Sequence, residues 1–193
     1  MRNRLNENDK PTKFYWAYGA NLSERVMARR CPGAIKVGAL YVHHGRLVFR
    51  GVADVIGSRK RSRKVAGGLW LINSAHEASL DRFEGVERRF YTKQYFEIEV
   101  EGVVHDCMFY KMNQRGIMPP AESYLADIEQ GYRDFGLDLA YLDEALQHSW
   151  ERKRRTPSLN ARHRRKGYPK LARPSLRKAK PYALVVPGNQ SVH

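Results

Sequence analysis

The sequence predicts an α+β fold, a small mixed β-barrel of five to seven strands with flanking α-helices. Three observations lead to this class. Several short apolar segments alternate with a period of two residues or end at glycine, which is typical of strands. Segments with apolar residues at helical spacing lie between them. The two kinds of segment do not alternate in the regular βα rhythm of a doubly wound sheet.

The composition is that of one domain with a charged appendage. The chain has 193 residues, of which 42% are hydrophobic, enough for a core. The formal charge is +15, but residues 151–180 hold 13 Lys and Arg against one acidic residue, which leaves +3 for the rest. We therefore expect a mobile leader over residues 1–12, a folded domain over 13–150 and a basic, proline-containing tail over 151–193.

The sequence gives no support for a disulfide framework, a membrane span, a secretory signal or a metal site. The two cysteines, Cys31 and Cys107, are far apart in sequence and are interpreted as free thiols in a reducing compartment. No segment reaches the ~20 apolar residues of a membrane span, and the polar first residues lack the apolar core of a secretory signal. Adjacent residues on a strand point to opposite faces, so His43 and His44 do not suit one metal ion. We expect a cytoplasmic protein without a metal site.

The first part of the chain is predicted to contain an aromatic strand, a short helix and further strands. Residues 14–18 form the first strand, which stops at Gly19. Ser23 is a suitable N-cap for a short helix that ends before Pro32. One or two strands follow in residues 34–51.

The middle of the chain continues with a basic loop at residues 58–64 and a strand over 65–73. The pair Gly67-Gly68 within this strand indicates a close backbone approach or a bulge. Ser74 and Glu77 have the spacing of a capping box, which predicts that a helix begins there. We expect that helix to end at the next glycine, Gly85.

The second half is predicted to contain a hairpin and two helices. Glu101 and Gly102 supply the turn between two strands. A helix follows Pro119-Pro120, and its apolar face is formed by Tyr124, Leu125, Ile128, Tyr132 and Phe135. A break at Gly136 precedes a last short helix, and residues 182–188 suit an added strand near the end of the chain.

Carboxylates provide the candidate chemistry, because the sequence has neither a glycine-rich phosphate loop nor a G-x-S-x-G element. Asp81 and Glu84 share one side of the predicted helix. Glu84 lies at its C-terminus, where the helix dipole disfavours an anion, and burial there would raise its pKa toward the range of a general acid/base. On spacing alone, a solvated helix end is the more common explanation.

Four motifs in order resemble those of the gamma-glutamylcyclotransferase family. They are WAYGANL at residues 16–22, LDRFEGV at 80–86, Tyr91, and the segment from the prolines to the last helix at 119–146. The resemblance covers roughly residues 13 to 148. It implies a mixed barrel with a pocket at one end, and an enzyme that cyclises a gamma-glutamyl amide or dipeptide to 5-oxoproline and releases the amine. It implies no protein nucleophile, cofactor or metal.

The resemblance also implies roles for individual residues. Glu84 is the catalytic general acid/base, and the turn offers backbone N–H groups to the gamma-glutamyl oxygens. Ala20 stands where the family commonly has serine. For the tyrosines, core packing remains an alternative to substrate contact, and Tyr18 suits a pocket wall or loop anchor better than a catalyst. The expected substrate-binding residues are Tyr18, Gly19, Ala20, Asn21, Leu22, Tyr91 and Tyr124.

A second hypothesis is a binding module of the same fold. Residues 151–180 would then bind nucleic acid or another polyanion through their basic side chains. A solubilising or disordered extension is the more common explanation of such a segment, and an anionic membrane surface is less favoured because no amphipathic apolar stripe is present. The sequence does not indicate an oligomeric state.

Overall fold

The computed structural model describes residues 10–155 and a two-residue strand at Tyr182–Ala183. Four helices are described, α1 Glu24–Arg30, α2 Ser74–Glu84, α3 Glu122–Asp134 and α4 Ala140–Arg155. The described strands are β1 Lys13–Ala17, β2 Ile35–His43, β3 Gly45–Phe49, β4 Ala53–Gly57, β5 Lys64–Ile72, β6 Tyr91–Val100, β7 Val103–Met112 and β8 Tyr182–Ala183. The expected leader lies almost wholly outside these residues, and so does most of the basic tail.

Six strands form one mixed sheet in the order β2-β5-β1-β7-β6-β8, and β3 pairs with β4 in a separate antiparallel ribbon. The pairs β1-β7 and β6-β8 are parallel and the other pairs are antiparallel. The α+β class is therefore confirmed. Within the described residues the sheet stays open rather than closing into a barrel, because the chain leaves β2 for the β3-β4 ribbon instead of pairing along the outer edge of β2.

Two glycines of β5 make room for aromatic rings, which confirms a close backbone approach there. A Cβ on Gly67 would lie 2.2 Å from Nε1 of Trp16, and a Cβ on Gly68 would lie 2.5 Å from the ring of Phe135. Successive strand residues face opposite sides of the sheet. The pair therefore admits one ring on each face, one from β1 and one that follows α3.

The start of α2 lies one residue from the predicted position. Asn73, not Ser74, is the N-cap: its side chain accepts a hydrogen bond from the His76 N–H at 2.8 Å, and His76 Nδ1 accepts from the Asn73 N–H at 3.3 Å. Glu77 instead pairs with Lys13 and Lys93, both at 2.6 Å. The end of the helix is as predicted, since Gly85 has a left-handed φ of 62°.

Other elements agree with the sequence only in part. Ser23 precedes α1, but its hydroxyl makes no capping bond and has no partner among the described residues. The last helix is longer than expected and continues past Trp150 to Arg155. Strand β4 was not predicted, because its second residue is an aspartate. Asp54 is 1% exposed and accepts hydrogen bonds from Arg50 at 2.8 Å and from the Met112 N–H at 3.1 Å.

The remaining predictions of elements are confirmed. Glu101 and Gly102 both have positive φ and join β6 to β7. The stripe on α3 faces the core, where Ile128 and Tyr132 are fully buried. In the C-terminal segment, Tyr182–Ala183 pairs in parallel with β6 as an added strand. Both cysteines are buried and free. No described helix has the length and apolar character needed to cross a membrane.

Candidate active site

A cavity of about 180 Å³ opens where the turn after β1 meets the end of α2, strand β4 and the first turn of α3. Its volume is below the ~300 Å³ at which pockets for drug-sized ligands begin, so it suits a small ligand or one group of a larger one. The lining residues are Tyr15, Tyr18, Gly19, Ala20, Asn21, Arg30, Val52, Ala53, Phe83, Glu84, Tyr91, Tyr110 and Tyr124.

The turn between β1 and α1 forms one wall of the cavity. Gly19 is required there by close approach, since a Cβ would lie 3.0 Å from the Tyr124 hydroxyl and 3.2 Å from the Ala53 methyl group. Residues 20–22 then form a single 3₁₀ turn, in which the Leu22 N–H donates to the Gly19 carbonyl at 2.9 Å. The N–H of Leu22 is therefore already used within the turn.

Glu84, the last residue of α2, brings a carboxylate to the cavity. Its side chain is 16% exposed. Oε1 accepts a hydrogen bond from Asn21 Nδ2 at 3.1 Å and lies 3.8 Å from Arg30 Nη1. Burial raises the pKa of Glu84, and the charge of Arg30 and the Asn21 hydrogen bond oppose this shift. Glu84 is the one acidic residue among the lining residues that the structure describes.

The Asn21 side chain holds this carboxylate in place. Nδ2 also donates to the Tyr15 hydroxyl at 2.8 Å, and Oδ1 accepts from Arg30 Nη1 at 2.7 Å. The Asn21 carbonyl accepts from the indole N–H of Trp70 at 3.0 Å. Since both amide protons and the amide oxygen are engaged, the network determines which way the amide points. Asn21 thereby fixes the turn, Glu84 and Arg30 relative to one another.

Three tyrosine hydroxyls are held by main-chain groups. Tyr18 donates to the Tyr110 carbonyl, and Tyr91 donates to the Ala53 carbonyl at 3.2 Å. Tyr124 accepts from the Ala53 N–H at 3.1 Å. Burial raises the pKa of Tyr124 to about 12 against the hydrogen bond from Ala53, and it raises the pKa values of Tyr18 and Tyr91 further. These hydroxyls are neutral near pH 7 and act as hydrogen-bonding groups, not as bases.

Asp81, one turn before Glu84, belongs to a different network. Its carboxylate accepts from the Tyr110 hydroxyl at 2.7 Å and pairs with Lys93 Nζ at 3.0 Å. The Lys93 ammonium also pairs with Glu77. The two carboxylates on this side of α2 therefore have different surroundings. Asp81 is paired with Lys93, whereas Glu84 lines the cavity.

The structure brings together seven of the eight predicted site residues. They are Tyr18, Gly19, Ala20, Asn21, Glu84, Tyr91 and Tyr124. Leu22 is the exception. Its side chain is fully buried, and it packs against α3 where a Cβ on Gly131 would lie 2.3 Å from Leu22 Cβ. Leu22 anchors the turn in the core and does not line the cavity.

Sequence reasoning missed several residues that complete the site. Tyr15 and Tyr110 reach it from the adjacent strands β1 and β7, and Ala53 from the unpredicted strand β4. Arg30, at the end of α1, lies 4.6 Å from the centre of the Phe83 ring. Basic residues at a helix end are common, so no local signal marked Arg30. Within residues 10–155, no group of three or more His, Cys, Asp or Glu is arranged to hold a metal ion.

Comparisons with known proteins identify relatives of this fold. Residues 64–145 match the AIG2-like family. A solved gamma-glutamyl cyclotransferase is 25% identical, with a TM-score of 0.60 over 69% of this chain and 85% of that one. An uncharacterized human protein is 26% identical, with a TM-score of 0.61 over 70% of this chain and 87% of that one.

A third structure, YkqA from Bacillus subtilis, is 22% identical, with a TM-score of 0.60 over 72% of this chain and 55% of that one. At this identity the likeness concerns the fold alone. No curated protein matches the sequence.

Proposed function

We propose that this chain, which matches the AIG2-like family over residues 64–145 and has the gamma-glutamylcyclotransferase-like fold, is an enzyme that cyclises a gamma-glutamyl amide or dipeptide to 5-oxoproline. The observation that carries the proposal is the largely buried Glu84 carboxylate, bonded to Asn21 beside the turn after β1 in a small cavity. The solved gamma-glutamyl cyclotransferase of similar fold supports the same activity class.

The reaction is an intramolecular acyl transfer. The substrate's α-amine attacks its own γ-carbonyl carbon, a C–N bond of the five-membered lactam forms, and the C–N bond of the original amide breaks. Two protons leave the α-ammonium in the course of the reaction and two are gained by the departing amine, so no water is consumed. Because nucleophile and electrophile belong to one molecule, holding them in attack geometry supplies much of the rate.

Glu84 would move these protons. A carboxylate with a raised pKa is a stronger base than an exposed glutamate and, once protonated, can return its proton to the leaving nitrogen. Arg30, 3.8 Å away, keeps the negative form accessible despite burial. Their opposing effects suit a group that must both accept and donate a proton.

The turn would bind the γ-glutamyl group through its main chain. Gly19 allows the backbone to approach the cavity closely, and the tyrosine hydroxyls of Tyr91 and Tyr124 supply further polar contacts. Backbone N–H donors also stabilise the charge that develops on the attacked carbonyl oxygen. With the backbone in this role, the alanine at position 20 costs little activity.

The test is release of 5-oxoproline from a panel of γ-glutamyl dipeptides, glutathione and γ-glutamyl-lysine-type amines. We expect turnover of at least one substrate by the wild type and loss of turnover in Glu84→Gln, which keeps the side-chain shape but cannot carry a proton. The preferred substrate would identify the amine that leaves.

Glu87→Gln is the matched control, since Glu87 is exposed and lies just beyond α2. It should turn over substrate like the wild type. Thermal unfolding of both variants would verify that each is folded. Normal turnover by a folded Glu84→Gln protein would exclude Glu84 as the acid/base, and no turnover of any panel member by the wild type would refute the proposed activity.

A further inference from the structure

The positive charge of the folded domain is concentrated at one place. Residues 1–150 contain 22 Lys and Arg against 19 Asp and Glu, a net charge of +3. Six of these basic residues are Arg46 and the five in the loop at residues 58–64. Five basic residues thus fall within a seven-residue loop that contains no acidic residue. An uneven distribution of this kind marks a surface that attracts anions, not a requirement of the fold.

Specific contacts hold this loop beside β3 and α4. The Ser58 N–H donates to the His44 carbonyl at 2.7 Å, and the His44 N–H donates to the Arg63 carbonyl at 2.9 Å. Arg63 and Arg46 both pair with Glu144 on α4, at 3.0 and 3.4 Å. We name the basic face as the set Arg46, Arg59, Lys60, Arg61, Arg63, Lys64 and Arg152.

Protein carboxylates neutralise the basic face only in part. Glu144 pairs with two of its guanidinium groups and is itself 49% exposed, and the charge of Glu151 also acts on Arg46. The positive charge of the basic face also affects His148, one turn after Glu144 on α4. The pKa of His148 is lowered by burial and then by the charges of Arg46, Arg152 and Arg63. Because the cations outnumber the anions here, a bound polyanion would relieve repulsion within the face.

Two tyrosines lie within the basic face. The rings of Tyr41 on β2 and Tyr141 on α4 are 5.6 Å apart, and both are partly exposed. Lys64 Nζ lies 4.9 Å from the centre of the Tyr41 ring and 5.8 Å from that of Tyr141. Cations that track a backbone, next to aromatic rings on which bases stack, are the elements of single-strand recognition.

We propose that the basic face binds single-stranded nucleic acid, with its arginines and lysines on the phosphates and the Tyr41–Tyr141 pair against the bases. Arginine predominates, as at sites that bind phosphate with two parallel hydrogen bonds. None of the large hydrophobic side chains exposed on the described residues belongs to the basic face or to its tyrosine pair, which disfavours insertion of the face into a membrane. Helix α4 leads from the face into residues 156–180, which add nine Lys and Arg and no acid.

This site is independent of the proposed enzyme activity. None of the residues of the basic face lines the cavity that holds Glu84. Nucleic-acid binding can therefore be measured whether or not the chain releases 5-oxoproline.

The experiment measures fluorescence anisotropy of 20-nucleotide oligo(U) and oligo(dT) with the full chain, over a range of salt concentrations. The variant Arg59→Gln/Lys60→Gln/Arg61→Gln removes three exposed charges of the loop and leaves the tail intact. The matched control, Lys10→Gln/Arg29→Gln/Arg115→Gln, removes three exposed charges elsewhere. Since each single-strand phosphate contact adds about 0.7 to the slope of log K against log salt, we expect the loop variant to lose about 2 in slope and about tenfold or more in affinity.

A second variant, Tyr141→Leu, tests stacking. It should weaken oligo(dT) binding by about tenfold and leave binding of a 20-base-pair duplex unchanged, because paired bases cannot stack on a tyrosine. Thermal unfolding of each variant would verify the fold. Wild-type affinity and salt slope in the loop variant, equal losses in the control, or binding of phosphatidylserine vesicles without binding of either oligonucleotide would each overturn the proposal.

Discussion

Substitution of Asn21 by leucine should raise the pKa of Glu84. Asn21 is 4% exposed, and its side chain donates to the Glu84 carboxylate at 3.1 Å. Leucine has a similar volume but no donor, so the charged form of Glu84 loses a hydrogen bond while the neutral form loses little. The direction follows from the opposing contributions to the Glu84 pKa, in which Asn21 acts to lower it.

The size of the shift follows from the strength of that hydrogen bond. A bond to a charged, largely buried group contributes about 1.5–3 kcal/mol. Because loss of the bond removes this stabilisation from the charged form and little from the neutral form, the pKa of Glu84 should rise clearly. If Glu84 is the base, the acid limb of the pH–rate profile should move to higher pH by the same amount.

Carbon-13 NMR of the Glu84 side-chain carboxyl group measures its pKa without any assumption about activity. The control is Asn113→Leu, because the exposed Asn113 side chain bonds the Arg89 carbonyl and Thr92 rather than a carboxylate. An unchanged Glu84 pKa in a folded Asn21→Leu protein would refute the reasoning. It would mean that Arg30 alone, 3.8 Å from Glu84, holds the carboxylate in its charged form.

Two further predictions concern stability. Gly131→Ala should destabilise the fold by about 1–3 kcal/mol in denaturant unfolding, despite alanine's better helix propensity, because its Cβ would lie 2.3 Å from Leu22 Cβ and 2.6 Å from the Leu22 main chain. The control Gly38→Ala should change the stability little, since no atom lies within 4 Å of the added Cβ. Equal effects of the two substitutions would refute the steric argument. Since folding raises the Glu84 pKa, wild-type stability falls as pH rises from the ordinary value of 4.5 through the folded pKa. The melting temperature of Glu84→Gln relative to wild type should therefore be higher at pH 8 than at pH 4, and a difference that does not change with pH would contradict the shift.

Features that depend on one stretch of chain were predictable. Gly85 ends α2 because glycine readily adopts the left-handed backbone conformation found at that position. The same preference explains the hairpin turn at Glu101-Gly102. The apolar spacing of α3 predicted its buried face for a similar reason. These predictions succeed because the conformational preference and the residue that expresses it lie within a few positions of each other.

Features that depend on contacts between distant segments were not predictable. Strand β4 contains Asp54, which is unfavourable in a buried strand until Arg50 and the Met112 N–H satisfy it. The N-cap of α2 is Asn73 rather than the predicted Ser74. The Asn73 side chain bonds the His76 main chain and the His76 ring bonds the Asn73 main chain, whereas Ser74 and Glu77 have the spacing of a capping box without forming one. In both cases side-chain partners outweighed local preference.

The candidate site divides along the same line. The resemblance of the sequence motifs to the gamma-glutamylcyclotransferase family implies that Glu84, the turn and two tyrosines share one pocket, and the position of Glu84 at the end of α2 follows from the local sequence. The environment of Glu84 was not, because Asn21, Arg30 and Tyr15 reach it from α1, β1 and the turn between them. A pKa depends on burial and on charges that only folding brings together. The sequence therefore determines that a glutamate stands at the end of α2. The proton affinity that Glu84 would need for proton transfer is determined by the packing of distant segments around it.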